Sequence, residues 1–378
     1  MNPGTDDNLL YRIAFSMIRG CNYGTARKML SLLADEKAFF TLSDNELHNI
    51  LNVRNDIVTT EYRHKLLEKA EAELKFVRHS DIHPVFFNDP DYPRNLTNCE
   101  DGPAVLYTLG NCDLSARKIL SIVGTRRATA YGIDMTQRIV AGLAAEYGDG
   151  IVIVSGLAYG IDVAAHRAAL AEGVPTIAVT AHPLNTIYPA AHRSVAVEIL
   201  HRNGALITEY PTSSVVHRSN FLQRNRIIAG ISDATLAVES DDKGGSLVTA
   251  SIANAYERDV FAVPGRTTDR YSRGANRLIA TNRAVMARDA DDIINAMRWE
   301  RRPTEGQQGT LNLELSELQL KTIQCIRENP EFTVNEISRT LAISYSELTT
   351  VLFELEMSDL IVTIPGNRYM LTALATDV

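Results

Sequence analysis

Between residues 81 and 298, short apolar runs recur between longer amphipathic ones, and this alternation restricts the chain more than any other feature. The runs are Ile119 to Val123, Ile151 to Val154, Thr176 to Thr180, Ala205 to Thr208, Thr235 to Glu239, Val260 to Val263 and Ala284 to Ala287. Most are apolar throughout, as strands buried on both faces are. Helical patterns fall between them, at Gly132 to Glu146, Asp162 to Ala171 and Gly245 to Arg258. Strand and helix in turn imply a doubly wound, mostly parallel α/β sheet.

The flanks read differently. Residues 1–80 carry amphipathic helical patterns at Leu9 to Ile18, Gly24 to Leu33 (with Thr25 as cap) and Glu61 to Phe76. Ser43-Asp44-Asn45-Glu46 is a capping box that opens another helix. Ile18 to Gly24 is a glycine-bounded turn between helices. It reads either as a helix-hairpin-helix that offers backbone N–H groups to phosphates or as part of a small helical packing domain. Residues 299–313 are polar and breaker-rich, the signature of a linker. Residues 314–378 follow with helices at Ser316 to Asn329, from Thr333 and from Ser344, then a hairpin of Ile361 to Ile364 and Arg368 to Leu371 about Pro365-Gly366-Asn367. Three helices and a hairpin make a winged helix-turn-helix.

A chain of 378 residues suggests two or three domains. It shows no apolar run of membrane-spanning length and no secretory pattern at its start. Cys21, Cys99, Cys112 and Cys325 form no close pair, so reduced thiols in the cytoplasm are expected. The net charge of −8 argues against general coating of DNA but allows one focused basic groove. Residues 314–378 hold four cations, Lys321, Arg327, Arg339 and Arg368, against ten acids. The expected recognition helix has Glu347, Glu354 and Glu356 and no Lys or Arg. A groove reader must neutralise phosphates, so this module is expected to bind protein or to pack on the chain.

Four segments carry the chemistry. Gly124-Thr125-Arg126-Arg127 follows a strand and precedes a helix, where an open sheet binds ligands and backbone N–H groups favour an anion. Ser155-Gly156-Leu157-Ala158-Tyr159-Gly160-Ile161-Asp162 repeats that arrangement, with Asp162 as a helix cap and His166 as either a base or, preferably, a core residue. Phe221 to Gly230 places an aromatic beside cations. Arg218 and Phe221 share a helix face, so a base can stack on the ring while the guanidinium holds a phosphate. The alternative puts Phe221 in the core and makes one of Arg224 and Arg226 a structural ion-pair partner. Lys243-Gly244-Gly245-Ser246 opens a helix as a phosphate cradle without the order of a Walker A loop. No catalytic or metal-ligating constellation stands out, and His182 and His192 around Tyr188-Pro189 fit no common metal spacing.

Gly124-Thr125-Arg126, Ser155 to Asp162, Arg224-Asn225-Arg226-Ile227-Ile228-Ala229-Gly230 and Val263-Pro264-Gly265 together resemble the DprA/Smf family in order and spacing. Asp91-Tyr92-Pro93 and Pro103-Ala104-Val105-Leu106-Tyr107 resemble the segment before that family's Rossmann-like domain. The resemblance implies a Rossmann-like core at 81–298, a SAM-like or helix-hairpin-helix-like domain at 1–80 and a winged helix at 314–378. It also implies a homodimer that binds single-stranded DNA, protects it and helps load RecA during natural transformation, with no cofactor and no catalysis. On it, Arg126 matches a phosphate-binding arginine, Arg218 and Phe221 a basic and a stacking position, and Lys243 the lysine of a Lys-Ser-Gly-Ser loop. Gly244 departs from the family serine. Thr281-Asn282-Arg283 replaces a glycine turn and makes Arg283 an added candidate phosphate contact.

The expected DNA-binding set is therefore Gly124, Thr125, Arg126, Arg127, Ser155, Gly156, Arg218, Phe221, Arg224, Asn225, Lys243, Gly245 and Ser246. A competing class is a nucleotide-binding or nucleoside-monophosphate phosphoribohydrolase-like enzyme of the same Rossmann-like group. Its Pro-Gly-Gly-x-Gly-Thr loop is not matched by Lys243-Gly244-Gly245-Ser246-Leu247. A third reading is an interaction scaffold working through the acidic C-terminal module.

Overall fold

The computed structural model describes residues 3–52, 56–301, 315–330, 332–358, 360–364 and 368–372. Most of the expected linker and the turn Pro365-Gly366-Asn367 lie outside these residues. The chain divides into two compact units, Met1–Arg302 and Pro303–Val378.

The first unit begins with helices α1 (Pro3–Ser16), α2 (Tyr23–Leu30), α3 (Glu36–Thr41), α4 (Asp44–Leu51) and α5 (Thr60–Arg78). The capping box at α4 forms: Ser43 N donates to the Glu46 carboxylate at 2.8 Å, and Glu46 N donates to Ser43 Oγ at 3.3 Å. At α2 the cap is Asn22, whose side chain accepts from Thr25 N at 2.9 Å, so Thr25 sits inside the helix and not at its end. The turn before α2 holds no free phosphate cradle. Its Tyr23 and Gly24 N–H groups donate to Gly102 and Glu100 carbonyls at 2.6 and 2.8 Å. Those amides hold the helices to the following segment, as a packing domain requires.

The central sheet is laid down by β1 (His83–Phe86), β2 (Val105–Gly110), β3 (Ile119–Val123), α6 (Ala130–Tyr147), β4 (Val152–Ser155), α7 (Ile161–Ala171), β5 (Thr176–Val179), α8 (Arg193–His201) and β6 (Ala205–Thr208). It is completed by α9 (Arg218–Ile231), β7 (Ala234–Ala237), α10 (Gly245–Ala255), β8 (Asp259–Ala262), α11 (Arg273–Ala280), β9 (Val285–Met286) and α12 (Ala290–Met297). The strand order is β1-β2-β6-β5-β4-β3-β7-β8-β9. Strands from β6 to β9 are parallel, while β1 and β2 pair antiparallel at one edge. The sequence reading missed both. Pro84 disguises β1, and an edge strand tolerates it because one row of its N–H groups has no ladder to make.

Alternate residues of each strand point to opposite faces, which explains the continuous apolar runs. From β3, Leu120 and Ile122 pack with Ile139 and Leu143 of α6, while Ile119 and Val123 pack with Ile227, Ile228 and Ile231 of α9. The chain winds outward from β3 to β6, then returns to place β7 on the other side of β3. The loops after β3 and β7 therefore diverge, and a cleft opens between them at the carboxyl ends of the strands.

The second unit has α13 (Glu317–Glu328), α14 (Val334–Leu341), α15 (Tyr345–Met357) and a hairpin of β10 (Ile361–Ile364) and β11 (Arg368–Leu371). Ile323, Ile337, Leu348, Leu352 and Leu355 form its core. Ser316 and Thr333 each close a capping box, and Ser344 caps α15 by accepting from Glu347 N at 3.2 Å.

Candidate nucleic-acid interface

The divergent loops bound a cleft of about 760 Å³. The loop after β3 supplies Gly124, Thr125 and Arg126. The first half of α9 supplies Arg218, Phe221, Leu222, Arg224 and Asn225, and the loop after β7 supplies Asp241, Gly244, Gly245 and Ser246. Ala158, Asp162 and Tyr188 are among the residues that add to the wall.

Each loop is held by its own backbone chemistry. Thr125 N donates to the Glu239 carbonyl at 2.7 Å, and Thr125 Oγ1 accepts from Arg127 N at 3.1 Å, so this threonine braces the loop. The Glu239 carboxylate accepts from Thr129 N and Oγ1 at 2.9 and 2.6 Å, which ties the start of α6 to the exit of β7. Gly160 has φ +76°, and a Cβ there would lie 2.2 Å from the Thr125 carbonyl oxygen. Only glycine lets α7 begin so close to the β3 loop.

Two rings and two cations shape the rim. Phe221 is half-buried, with the Arg126 guanidinium carbon 5.4 Å from its ring centre and the Tyr188 ring 5.6 Å away. Arg218, Leu222 and Tyr188 are exposed beside it. Arg218 and Phe221 both line the cleft, as their helical spacing predicts. Tyr188 was missed because nothing in its sequence surroundings ties it to the distant helix α9. A signal exists in hindsight. Buried His182 accepts at Nε2 from Tyr188 N (3.1 Å) and must then donate from Nδ1 to the Pro183 carbonyl (2.9 Å). Burial holds that ring neutral. His192 likewise bonds the Leu157 carbonyl through Nδ1 at 2.8 Å. Both histidines act as braces.

The cleft floor is the start of α10. Gly244 precedes it without a side-chain cap, and Gly245 has open space around the position a Cβ would take. Ser246 is buried, and its Oγ has no hydrogen-bond partner. An N-terminal turn with unsatisfied N–H groups and an unpaired hydroxyl is matched to an anion. A Cβ at Gly244 would come within 2.1 Å of Ser240 Oγ, so the glycine that departs from the family serine fits its own neighbour.

Several expected site residues have other work. Arg224 is 3% exposed and donates to the Gly156 carbonyl at 2.6 Å and to the Val179 carbonyl. It is an internal clamp across the ends of β4 and β5, not a surface phosphate contact. Gly156 makes room for it: a Cβ would sit 2.4 Å from the guanidinium. Ser155 is fully buried and donates to the Ile122 carbonyl at 2.6 Å, so its hydroxyl is already used inside the sheet. Arg226 pairs with Glu209 behind the cleft, the structural role left open for it. Asp162 does not cap α7, which begins after Gly160; it is buried, and burial raises its carboxyl despite the nearby Arg224. His166 is a core residue, hydrogen-bonded to Thr176 Oγ1 at 2.8 Å and pushed down to about 3 by burial. Arg127 and Lys243 are exposed outside the lining. Asn282 takes the left-handed φ of +54° that the family glycine would supply. Arg283 then lies just before β9, at the opposite end of the strands from the cleft, and bonds Ser251 at 2.7 Å.

Among the described residues no group of His, Cys, Asp or Glu is set to hold a metal, and no helix is long and apolar enough to cross a membrane. Fold and cleft define a doubly wound α/β protein whose switch point sets an uncapped helix start and an aromatic ring in one cleft. The family model for DNA recombination-mediator protein A matches residues 83–298, and the chain belongs to the DprA/Smf family. A Protein Smf from Synechocystis is 32% identical over 351 residues, covering 82% of this chain and 87% of its own. The crystal structure of DNA processing protein A from Streptococcus pneumoniae superposes with a TM-score of 0.64 at 30% identity, covering 76% of this chain and 97% of that one. The Helicobacter pylori protein, described for its single-stranded DNA binding mode, gives 0.51 at 29% identity over 58% of this chain and 97% of its own.

Proposed function

We propose that this recombination mediator binds single-stranded DNA in the cleft, without catalysis, and presents it to RecA during uptake of transforming DNA. The observation that carries the reading is the buried, unpartnered Ser246 hydroxyl at the N-terminus of α10, in the cleft that the Phe221 ring also lines. The first suits a phosphate and the second a base, and the two together suit a single strand whose bases are free to stack. Arg126, Arg218, Asn225, Gly245 and Ser246 contact the backbone. Gly124, Thr125, Ser155, Gly156 and Arg224 shape the cleft from beneath, while Arg127 and Lys243 add outer phosphate contacts. The protein acts in the cytoplasm as a homodimer. Residues 1–80 form a helical packing domain, and 314–378 form a winged helix that binds protein, a role that its acidic recognition helix favours over groove reading.

The test is equilibrium binding of the pure protein to fluorescent oligo-dT and to a duplex of equal length across a salt series. Salt-sensitive preference for the single strand supports the proposal, and RecA filament assembly on the bound strand is the next readout. Equal weak binding to both refutes it. Release of free base from nucleoside monophosphates would move the protein to the phosphoribohydrolase-like class.

A further inference from the structure

Beside the cleft, four exposed arginines follow one another at three- and four-residue spacing: Arg266, Arg270, Arg273 and Arg277. The last two lie one turn apart on α11 and share a face. The loop that carries them is stitched to the floor of the cleft. Ser240 N donates to the Tyr271 carbonyl at 2.6 Å, and Gly274 N donates to the Ser240 carbonyl at 2.9 Å. Asp241, which lines the cleft, accepts from Arg270 Nε at 2.6 Å. The Asp242 carbonyl accepts from Arg277 Nη2 at 2.8 Å. Lys243 projects from the same turn. On a chain of net charge −8 this is a local concentration of cations, continuous with the floor of the anion site.

We propose that the strand leaves the cleft over the Asp241–Lys243 turn and continues along Arg266, Arg273 and Arg277, an arginine rail that holds phosphates beyond the stacked base. This rests on the single-strand reading of the cleft. Of the rail, Arg277 meets the exposed Asp242 carboxylate at 3.9 Å, and such a pair contributes little. A phosphate offers a guanidinium two acceptors in its own plane. Asp242 thus parks Arg277 when no strand is present and gives it up to a phosphate when one enters. Cations that track a backbone past a stacking platform are what sequence-tolerant single-strand binding requires.

The experiment compares oligo-dT of about 6 nucleotides, enough for the cleft, with oligo-dT of about 20, enough for cleft and rail. The variant is Arg266→Gln/Arg273→Gln/Arg277→Gln in the full chain, which leaves the Arg270–Asp241 pair in place. The short oligomer should bind as to the parent. The long one should weaken about tenfold, with its salt slope falling by roughly 2, about 0.7 for each phosphate no longer neutralised. Asp242→Asn should tighten the long oligomer only. Equal loss at both lengths, or no loss at either, overturns the rail. Phe221→Ala keeps the two readings apart: it should weaken the short oligomer, and failure there counts against the cleft and not the rail.

Discussion

Replacing Gly156 by alanine is a stringent test of how the cleft is built. The new Cβ would lie 2.4, 2.5 and 2.6 Å from Nη1, Cζ and Nη2 of Arg224. That guanidinium cannot swing aside, since it is 3% exposed and bonded to the Gly156 and Val179 carbonyls. Gly156 has no positive φ, so the effect is steric alone. Overpacking of this kind costs about 1–3 kcal/mol. Pulling a buried guanidinium off a carbonyl adds about 1.5–3 kcal/mol. The expected loss is about 3–5 kcal/mol, a fall in Tm of roughly 5–8 °C for the unit Met1–Arg302. Gly245→Ala is the matched control: the Cβ meets nothing within 4 Å, and alanine suits a helix start at least as well. Its Tm should hold or rise slightly. The decisive assay is a double-mutant cycle by urea unfolding. In an Arg224→Ala background the Cβ has no guanidinium to strike, so the Gly156→Ala penalty should fall by about 2 kcal/mol or more. Strict additivity of the two changes, or a Gly156→Ala protein as stable as the parent, would show that this contact does not shape the cleft.

Ser246→Ala should separate binding from stability: melting stays level or rises, because a buried hydroxyl without a partner is removed, while oligo-dT affinity drops several-fold. Arg226→Met should cost about 3–5 kcal/mol by leaving Glu209 buried and unpaired, and Glu209→Leu/Arg226→Met should recover much of it in urea titrations. His166 sets an acid limit. The unfolded chain takes its proton near 6.5 and the folded chain only near 3, so stability is lost as pH falls between those values, by up to about 1.4 kcal/mol per unit. His166→Gln should flatten the unfolding free energy between pH ~6.5 and ~4.5 relative to the parent, and equal slopes in the two proteins would exclude the ring as the source.

What the sequence made legible follows from the range over which each feature is decided. The parallel strands were readable because burial on both faces makes each a local, continuous apolar run, as with Ile119–Val123 between α6 and α9. The capping boxes at Ser43 and Thr333 were readable because both partners lie within one turn. The shape of the cleft was readable to the extent that Gly124, Phe221 and the start of α10 mark strand exits and a helix face. What stayed hidden was the direction of each cation. Arg224 and Arg226 lie two positions apart on one helix and both point inward, one to carbonyl oxygens at the ends of β4 and β5, the other to Glu209 on a strand exit 17 positions earlier. The cation that does reach the Phe221 ring, Arg126, comes from a different loop altogether.

The same distinction explains how an acidic chain could carry the proposed polyanion site. A cation that must position the backbone has to be buried against carbonyls or a carboxylate. Its charge is then spent on the fold and contributes little field outside. Arg224 does this at the cleft, and Gly156 and Asp162 are the space and counter-charge that it requires. With the wall held rigidly by that internal clamp, the ligand-facing surface needs few free charges. On the single-strand reading, a helix start with an unpaired hydroxyl, the exposed Arg126 and Arg218 that line the cleft with Phe221, and the exposed arginines of the rail are sufficient. On the single-strand reading, this geometry suits a narrow, flexible polyanion that threads between the loops after β3 and β7.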